Sequence, residues 1–352
     1  MHIPDGYLSP STCAALYAAS APFIYVATRK VKRLVSARLA PLLSVFAAFS
    51  FVIMMLNVPL PGGTSGHAVG ATLATIVLGP WAAMLAVAVA LAIQALFFGD
   101  GGILSLGANV FNMAVVMSLV ASAVYRVFGG SAESPRRKMV AGAAAGYVGL
   151  NVAAFLTAVE FGIQPALFRA ADGAPLYAPY GLDVSIPAMM IGHLFIAGPA
   201  EAIITALAVA FIARTNPDLL SLSFARSAAR STVGRLRALW VGLAALAVLT
   251  PLGLFATGTA WGEWNPTNPT DWPLQPVPQG LAALSGLWRA PLPAYATRLL
   301  GAGTFGMAIG YLMSAVVGIA LLALVGMLIG RVLARGEEGP PGGIVEPTKP
   351  VD

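Results

Sequence analysis

The sequence predicts an all-α, polytopic integral membrane protein, and three observations support that fold class. Hydrophobic residues make up 58% of the 352 positions, charged residues make up only 10%, and the mean hydropathy is +0.82. Apolar stretches near the length that crosses a bilayer core, about 20 residues, recur along the chain. Basic residues cluster between alternate stretches, which is the pattern of cytoplasmic loops. The net charge of +6 therefore reflects topology and not a nucleic-acid site.

The apolar stretches predict about nine transmembrane helices. They lie at residues 11–28, 39–56, 67–78, 81–98, 105–125, 139–160, 185–213, 238–256 and 301–330. The run from 67 to 98 divides at Gly79-Pro80, because proline ends a helix and disfavours helix at the residue before it. Its first piece is short for a crossing. It suffices if the preceding loop dips into the protein, where buried non-helical backbone is tolerated.

The basic clusters orient these helices. They lie at 29–38, 126–138 and 214–237, with three more basic residues between 331 and 349. The positive-inside rule places all of them in the cytoplasm, so an even number of crossings must separate the first two clusters. The N-terminus is then extracytoplasmic. It lacks a basic n-region and carries Pro4 and Asp5, so we expect no cleaved signal peptide there.

Met1 and His2 form a potential chelate for a divalent transition metal. The α-amine, the deprotonated amide nitrogen of His2 and an imidazole nitrogen of His2 can close two adjoining rings, with three nitrogens in one plane. We expect Met1 to be retained, because residue 2 is large, and its amine to be free. Tetragonal nitrogen donors suit Ni(II), and less readily Co(II), over Mg or Ca. A fourth planar nitrogen would have to come from one of the two other histidines.

His67 is the first candidate for the fourth nitrogen. It ends a loop, 57–67, that leaves the second predicted helix on the same side as Met1, and two prolines and three glycines in this loop allow it to turn back. A histidine at a helix start can alternatively serve as a capping or hydrogen-bonding residue.

His193 and Glu201 are the polar residues of the seventh predicted helix. An ionised group at the centre of a membrane helix costs about 2.5–3.5 kcal/mol, so such residues are functional candidates by default. For His193 the favoured interpretation is a neutral imidazole hydrogen-bonded between helices, too deep to join the N-terminal chelate. We expect Glu201 to pair with a group in the cytoplasmic half or with another subunit.

Missing motifs exclude several function classes. The chain has no G-x-x-x-x-G-K-[ST] phosphate loop and no H-E-x-x-H, so neither an ATPase of that type nor the simplest metalloprotease fits. No histidine is followed by aspartate five positions later, as single-chain nickel and cobalt permeases would require. Only Glu201 and Glu160 are acidic deep in predicted helices, a thin supply for a proton-coupled pump. We therefore expect a metal-binding subunit, not an enzyme, driven by partner proteins.

Four segments resemble the cobalt/nickel M subunit (CbiM/NikM family) of energy-coupling-factor transporters, and the resemblance covers residues 1 to about 215. They are MHIPDGYLSP at 1–10, GGTSGHAVG at 62–70, ALFFGDGG at 95–102 and GANVFNM at 107–113. The resemblance implies a seven-helix substrate-binding component. It also implies that Met1, His2 and His67 supply the metal-binding nitrogens. The implied partners are two cytoplasmic coupling ATPases and a transmembrane coupling subunit.

The C-terminal part resembles the two-span accessory subunit of such systems, through LTPLGL at 249–254 and GTAWGEW at 258–264. The PLGL run departs from the Pro-Asp-Gly-Leu-Glu signature of one branch. We expect a metal-binding domain at 1–215, a basic cytoplasmic linker at 216–237 and a two-span segment at 238–335. That segment includes an extracytoplasmic loop, 257–300, which either covers the metal site or, as the simpler expectation, only joins two helices. Residues 336–352 are expected to be a disordered tail.

The sequence as a whole predicts the substrate-binding component of an ATP-driven importer in a prokaryotic plasma membrane. Ni(II) or Co(II) is the cargo, and no catalytic cofactor is expected. Side chains expected to orient the imidazoles are Asn57, Thr64, Ser65 and Asn109. We expect binding to weaken as the pH falls through ~6.5, because protons compete for the nitrogens. The alternatives are a stand-alone secondary permease and, from another class, a membrane metal sensor or metalloenzyme. Those last two would need an open metal position and a nearby base, for which Asp5 and Asp100 are the candidates.

Overall fold

The computed structural model describes most of the chain as helices. The described residues are 1–34, 39–60, 64–129, 134–215, 217–220, 233–256, 260–264, 266, 276–295 and 303–334. Of the predicted linker, only 217–220 and 233–237 are described, and the predicted tail at 336–352 lies outside the described residues. Of the predicted loop at 257–300, residues 260–264, 266 and 276–295 are described. The all-α, polytopic class is confirmed for these ranges.

The helices follow one another with short connections. In chain order they are α1 (Pro10–Leu34), α2 (Leu39–Met55), α3 (Ala71–Leu78), α4 (Pro80–Phe98), α5 (Leu106–Val127), α6 (Pro135–Gly162), α7 (Leu182–Thr215), α8 (Val233–Leu249), α9 (Gln279–Leu284) and α10 (Thr304–Ala334). A 3₁₀ turn over Pro217–Leu220 follows α7, and another over Thr250–Phe255 extends α8.

Five helices of the described chain are long and apolar enough to cross a membrane: α4, α5, the stretch Pro135–Leu167 that begins with α6, α7, and Thr304–Leu328 of α10. Shorter apolar segments lie at Pro41–Met55 in α2 and at Leu239–Phe255. The predicted break at Gly79 is confirmed, because α3 ends at Leu78 and Pro80 begins α4. Gly79 itself has a φ of +80°, a conformation that favours glycine. Helix α3 spans only eight residues.

A short antiparallel hairpin departs from a purely helical fold. Strand β1 (Val58–Leu60) pairs with β2 (Thr64–Gly66) in the loop between α2 and α3, with Pro59 opposite Ser65. The chain then runs buried from Ser65 to Gly70 before α3 begins. The expected loop that dips into the protein is therefore present, and the hairpin supplies part of its backbone hydrogen bonding.

The last two long helices pack on the first part of the chain. Helices α8 and α10 both contact α2, while α6 packs mainly against α5 and α7. Close approach of α10 requires small residues, because a Cβ at Gly318 would collide with the ring of Phe51 and one at Gly326 would collide with Ser44. A Cβ at Gly253 would likewise collide with the backbone carbonyl of Met55. The C-terminal segment is thus fitted to α2 and to the start of the loop that leads to His67.

Three helices contain a π-helical turn: Gln94–Phe98 in α4, Val110–Val116 in α5 and His193–Ala197 in α7. Such turns shift the facing of side chains within a helix and are frequent at functional sites. Two of them begin at buried polar residues, Gln94 and His193. Gln94 Nε2 donates to Asp100 Oδ2 at 3.3 Å, and His193 lines a cavity together with Met1, so both residues lie near the N-terminus.

Candidate metal centre

The N-terminal segment is folded into the protein interior. Met1 is 3% exposed and His2 is 1% exposed, and Ile3 is fully buried. The peptide of Ile3 is held on both sides by Asn109 of α5. The amide N–H of Ile3 donates to Asn109 Oδ1 at 2.8 Å, and Asn109 Nδ2 donates to the Ile3 carbonyl at 3.1 Å. This pairing satisfies backbone groups that would otherwise be buried without partners.

Asp5 ties the same segment to the start of α5. Its carboxylate accepts hydrogen bonds from the backbone N–H groups of Ile103 at 3.0 Å and Ser105 at 3.1 Å. Burial raises the pKa of Asp5, and these backbone donors partly oppose the rise. Gly102 leaves the space for this contact, because a Cβ there would collide with the Asp5 carboxylate and with its amide nitrogen. Gly102 is therefore a steric requirement of the docked N-terminus.

The imidazoles of His2 and His67 meet at the centre of the site. His2 Nδ1 lies 3.2 Å from His67 Nε2, and the ring centroids are 4.9 Å apart. His67 Nδ1 donates to the carbonyl of Ala68 at 3.1 Å, so its Nε2 carries a lone pair directed at His2. In this tautomer His2 Nδ1 holds the shared proton. His2 Nδ1 also lies 3.2 Å from Asp100 Oδ1.

This spacing suits two neighbouring ligands of one metal ion. Metal–imidazole bonds of about 2.0–2.1 Å at adjacent corners of a square place the two nitrogens roughly 2.9 Å apart. The observed 3.2 Å is close to that value, so a metal can take the place of the shared proton with small movements of the rings. His2 Nδ1 is also the imidazole nitrogen that closes a six-membered ring with the amide nitrogen of His2. No group of three or more His, Cys, Asp or Glu side chains within the described ranges is arranged to hold a metal. Backbone nitrogens would have to complete this site.

Two carboxylates flank the nitrogens. Glu263 Oε1 accepts a hydrogen bond from the α-ammonium of Met1 at 3.0 Å. Burial raises the pKa of Glu263 to about 7, against the opposing effect of the ammonium. Burial, and after it the nearby ammonium, lowers the pKa of His2 to about 3. Protonation of His2 therefore does not account for a loss of metal near pH 6.5.

Residues of the C-terminal segment complete the walls of the site, so the simpler expectation that loop 257–300 only joins two helices is wrong. Glu263 bonds to Met1, and the Tyr7 hydroxyl donates to the carbonyl of Trp264 at 2.6 Å. Tyr295 forms a short hydrogen bond with Asp100 Oδ2. Tyr295 has a φ of +59°, a strained conformation for a bulky residue. Such strain persists where the surrounding contacts over-determine it.

The four side chains expected to orient the imidazoles have different positions. Asn109 holds the peptide that follows His2 and does not contact an imidazole. Ser65 is buried in β2 and pairs with Ala260 of the C-terminal segment, and Thr64 lines a cavity beside Met1. Asn57 is half-buried just after α2 ends, where its backbone N–H donates to the carbonyl of Met55. Their roles in metal binding stay predictions.

His193 and Glu201 lie closer to the site than their sequence positions suggest. His193 lines the same cavity as Met1, so depth does not separate the two. Glu201 is fully buried, and its Oε2 accepts hydrogen bonds from the amides of Val69 at 2.8 Å and Gly70 at 3.1 Å. It therefore anchors the loop that carries His67. The expected pairing of Glu201 with a cytoplasmic-half group or another subunit is wrong for this oxygen.

Sequence reasoning missed Glu263 and Tyr295 as parts of the site. Glu263 lies in one of the segments that carried the accessory-subunit resemblance, but its partner Met1 is 262 positions away. Tyr295 lies in no segment that matches a known motif, and its partner Asp100 is 195 positions away. Only a conserved pairing between the two halves of the chain would have revealed these contacts.

Comparison with known proteins agrees with this architecture. A family model described as "Cobalt uptake substrate-specific transmembrane region" (CbiM) matches residues 2–219, and a PDGLE domain matches residues 235–335. A fused nickel transport protein, NikMN, of Rhodobacter capsulatus is 50% identical over 95% of this chain and 99% of its own length. A probable fused nickel transport protein, LarMN, of Lactiplantibacillus plantarum is 48% identical over 76% of this chain and 78% of its own.

Solved structures give the same result. The crystal structure of a transition metal transporter is 50% identical, with a TM-score of 0.59, and the match covers 64% of this chain and 99% of that one. A truncated transition metal transporter is 52% identical over 61% of this chain and 99% of its own, with a TM-score of 0.58. The family model spans more than half of the chain and the NikMN relative nearly all of it. The chain therefore belongs to the CbiM/NikM family of multi-pass membrane transport proteins, with a C-terminal PDGLE domain.

Proposed function

We propose that this chain is the substrate-binding component of an ATP-driven energy-coupling-factor transporter that imports Ni(II) or Co(II). The α-amine of Met1, the amide nitrogen and Nδ1 of His2, and Nε2 of His67 bind the metal in one plane. The observation that carries the proposal is the buried contact of His2 Nδ1 with His67 Nε2 at 3.2 Å, beside a buried N-terminal amine. The names of the fused nickel transport relatives support the choice of cargo.

The surroundings of these nitrogens fit a captured cation. Asp100 Oδ1 and Glu263 Oε1 bring negative charge to the two sides of the chelate, at 3.2 Å from His2 Nδ1 and 3.0 Å from the α-amine. Chelation displaces the protons that both carboxylates now face. Because each ligating nitrogen must give up a proton or a hydrogen bond, the metal affinity rises with pH.

The topology and partners follow from the same proposal. Nine crossings with an extracytoplasmic N-terminus place the chelate outside and the basic clusters inside. Residues 1–215 form the metal-binding domain, and 238–335 form an accessory segment whose loop borders the metal. Family membership supports two cytoplasmic ATPases and a transmembrane coupling subunit as partners, because the chain has no phosphate loop of its own.

The chelate is tested by adding four residues before Met1, so that the new free amine lies too far along the chain from His2 to close the same rings. C-terminally tagged protein and the extended variant are purified and offered equal concentrations of nickel and cobalt, and bound metal is counted. The extension converts the α-amine into an amide, which removes one ligand and leaves every side chain in place. We expect one metal per unextended chain and none tightly bound to the extended one.

Two controls sharpen this test. An extension at the C-terminus should leave one metal bound, and His67→Ala should lose it through a different ligand. Equal binding by the N-terminally extended variant would refute the chelate. Dependence on partners is tested separately, by uptake in cells that lack the coupling ATPases and coupling subunit. Undiminished uptake there would favour a stand-alone permease.

A further inference from the structure

A cavity of about 250 Å³ adjoins the metal centre on the side of α7. Its walls come from three separated parts of the chain. Met1 contributes the chelate side, Thr64 and Ser65 contribute the hairpin side, and His193 contributes the α7 side, with Ala260 and Trp261 closing it from the C-terminal segment. The site assigned above uses Met1 alone among these residues. The cavity is therefore a separate space that opens directly beside the chelate.

His193, which lines this space, has one ring nitrogen without a partner among the described residues. Its Nδ1 lies 2.8 Å from the carbonyl of Met189, and a carbonyl can only accept, so Nδ1 carries the hydrogen. In the neutral imidazole, Nε2 then carries a lone pair. His193 is 4% exposed, and Nε2 has no hydrogen-bond partner among the described residues. A buried polar atom without a partner needs an explanation, because leaving it unsatisfied destabilises the fold.

The backbone of α7 is irregular at His193. His193 begins a π-helical turn that interrupts α7, and such turns change the direction in which side chains project. The bond to Met189 fixes the tautomer and the ring, which is how proteins prepare a histidine for metal binding. His193 Nε2 is itself buried without a partner, in a residue that lines the cavity beside the chelate.

We propose that His193 Nε2 is a second, weaker metal ligand, at which the divalent ion waits while it enters or leaves the N-terminal chelate. This inference rests on the proposed function. Planar chelation exchanges slowly, since an amide proton must leave and two rings must close. A single ion in a space of ~250 Å³ has an effective concentration on the order of several molar next to Met1. A staging ligand therefore shortens the time needed to fill and to empty the chelate.

This role differs from a structural one in a measurable way. An intermediate on the path between solution and chelate changes the loading and release rates by the same factor, so the equilibrium affinity of the chelate stays constant. A residue that merely supports the fold of the chelate alters the affinity itself. The ratio of the two rates separates these cases.

The test uses His193→Asn in the full chain. The asparagine amide retains a donor near the position of Nδ1, so the bond to the Met189 carbonyl is preserved while Nε2 is removed. His193→Gln is the second variant, with its amide placed near the missing Nε2 but without an imidazole. Nickel loading and transfer of bound nickel to an external chelator are followed by stopped-flow absorbance, together with the equilibrium stoichiometry.

We expect both variants to bind one tight nickel with unchanged affinity and to load and release it about tenfold more slowly. The retained tight site shows that each variant is folded. Unchanged rates in both variants would overturn the proposal, and so would a changed affinity of the tight site, whatever the loading rate. Loss of the tight site in the chain extended before Met1 is the separate test of the chelate. The two failures are thus distinguishable.

A spectroscopic arm detects the weak site directly. In a chain that carries His2→Ala and His67→Ala, His193 is the only histidine left, and Cu(II) serves as the probe. We expect an electron paramagnetic resonance signal with coupling to one imidazole nitrogen, and we expect His193→Asn in that background to remove the coupling. An imidazole coupling that persists in the triple variant, or none before His193 is replaced, would overturn the assignment to His193.

Discussion

Replacing Asn109 with alanine should release the N-terminal segment from the protein interior. Asn109 makes two hydrogen bonds to the peptide of Ile3, at 2.8 Å and 3.1 Å. The Ile3 carbonyl still accepts from the Gly102 amide at 2.9 Å and from the Ser105 hydroxyl. Losing its hydrogen bond from Asn109 Nδ2 therefore costs about 1 kcal/mol. The Ile3 amide has no other partner within the described residues, and a buried orphaned donor costs about 1–3 kcal/mol. The docked state should lose about 2–4 kcal/mol in total.

That loss corresponds to a roughly 30- to 700-fold increase in the undocked population, at 1.4 kcal/mol per factor of ten. The assay is the removal of Met1 by an aminopeptidase, because proteolysis follows the population of the open form when opening and closing are fast. Cleavage of the metal-free Asn109→Ala protein should accelerate by that factor, and saturating nickel should slow it again. The rate, not the affinity, is the direct readout of docking.

The matched control is Asn112→Ala in the same helix. Asn112 is equally buried, but its amide bonds to Thr157 and Glu160 of α6 and not to the N-terminal segment. Its cleavage rate should stay near that of the unmodified protein. The reasoning is refuted if Asn109→Ala raises the rate less than threefold, or if Asn112→Ala raises it as much.

Three further predictions concern sterics and pH. Gly102→Ala should increase aminopeptidase cleavage roughly 5- to 140-fold, because overpacking against Asp5 costs about 1–3 kcal/mol. Gly242→Ala should leave the rate unchanged, because a Cβ at Gly242 in α8 meets open space. The raised pKa of Glu263, about 7, means that the native state binds more protons than the unfolded one, so stability falls as the pH rises from 4.5 through 7. In thermal unfolding, Glu263→Gln should therefore be more stable than the unmodified protein, by about 3 kcal/mol at pH 8 and by under ~1 kcal/mol at pH 5. An equal gain in stability at the two pH values would contradict this prediction. The pKa of His2, lowered to about 3, makes stability depend on pH in the opposite direction, because the unfolded state binds the extra proton. Stability should be complete above pH 6.5 and should fall by about 3 kcal/mol between pH 6.5 and pH 4. His2→Gln should not show this fall in the same thermal scans.

Much of the fold follows from the sequence, because the bilayer limits the solutions. Nothing but helices and closed barrels satisfies backbone groups in lipid, so apolar stretches near 20 residues predict their own structure. The break at Gly79-Pro80 follows from proline chemistry, and the structure places it at that position. The hairpin at 58–66 was not predicted, since its two strands are only three residues each.

The sequence by itself also determined the candidate ligands, since three histidines and a Met-His start leave few choices for a planar nitrogen site. Only the tertiary structure decided what surrounds them. Glu263 reaches Met1, and Glu201 anchors the loop of His67, through contacts that span 262 and 131–132 positions. His193, at the start of a π-helical turn, lines a cavity beside the chelate. Local patterns encode residue types and helix periods, whereas which distant side chains meet depends on how whole helices pack.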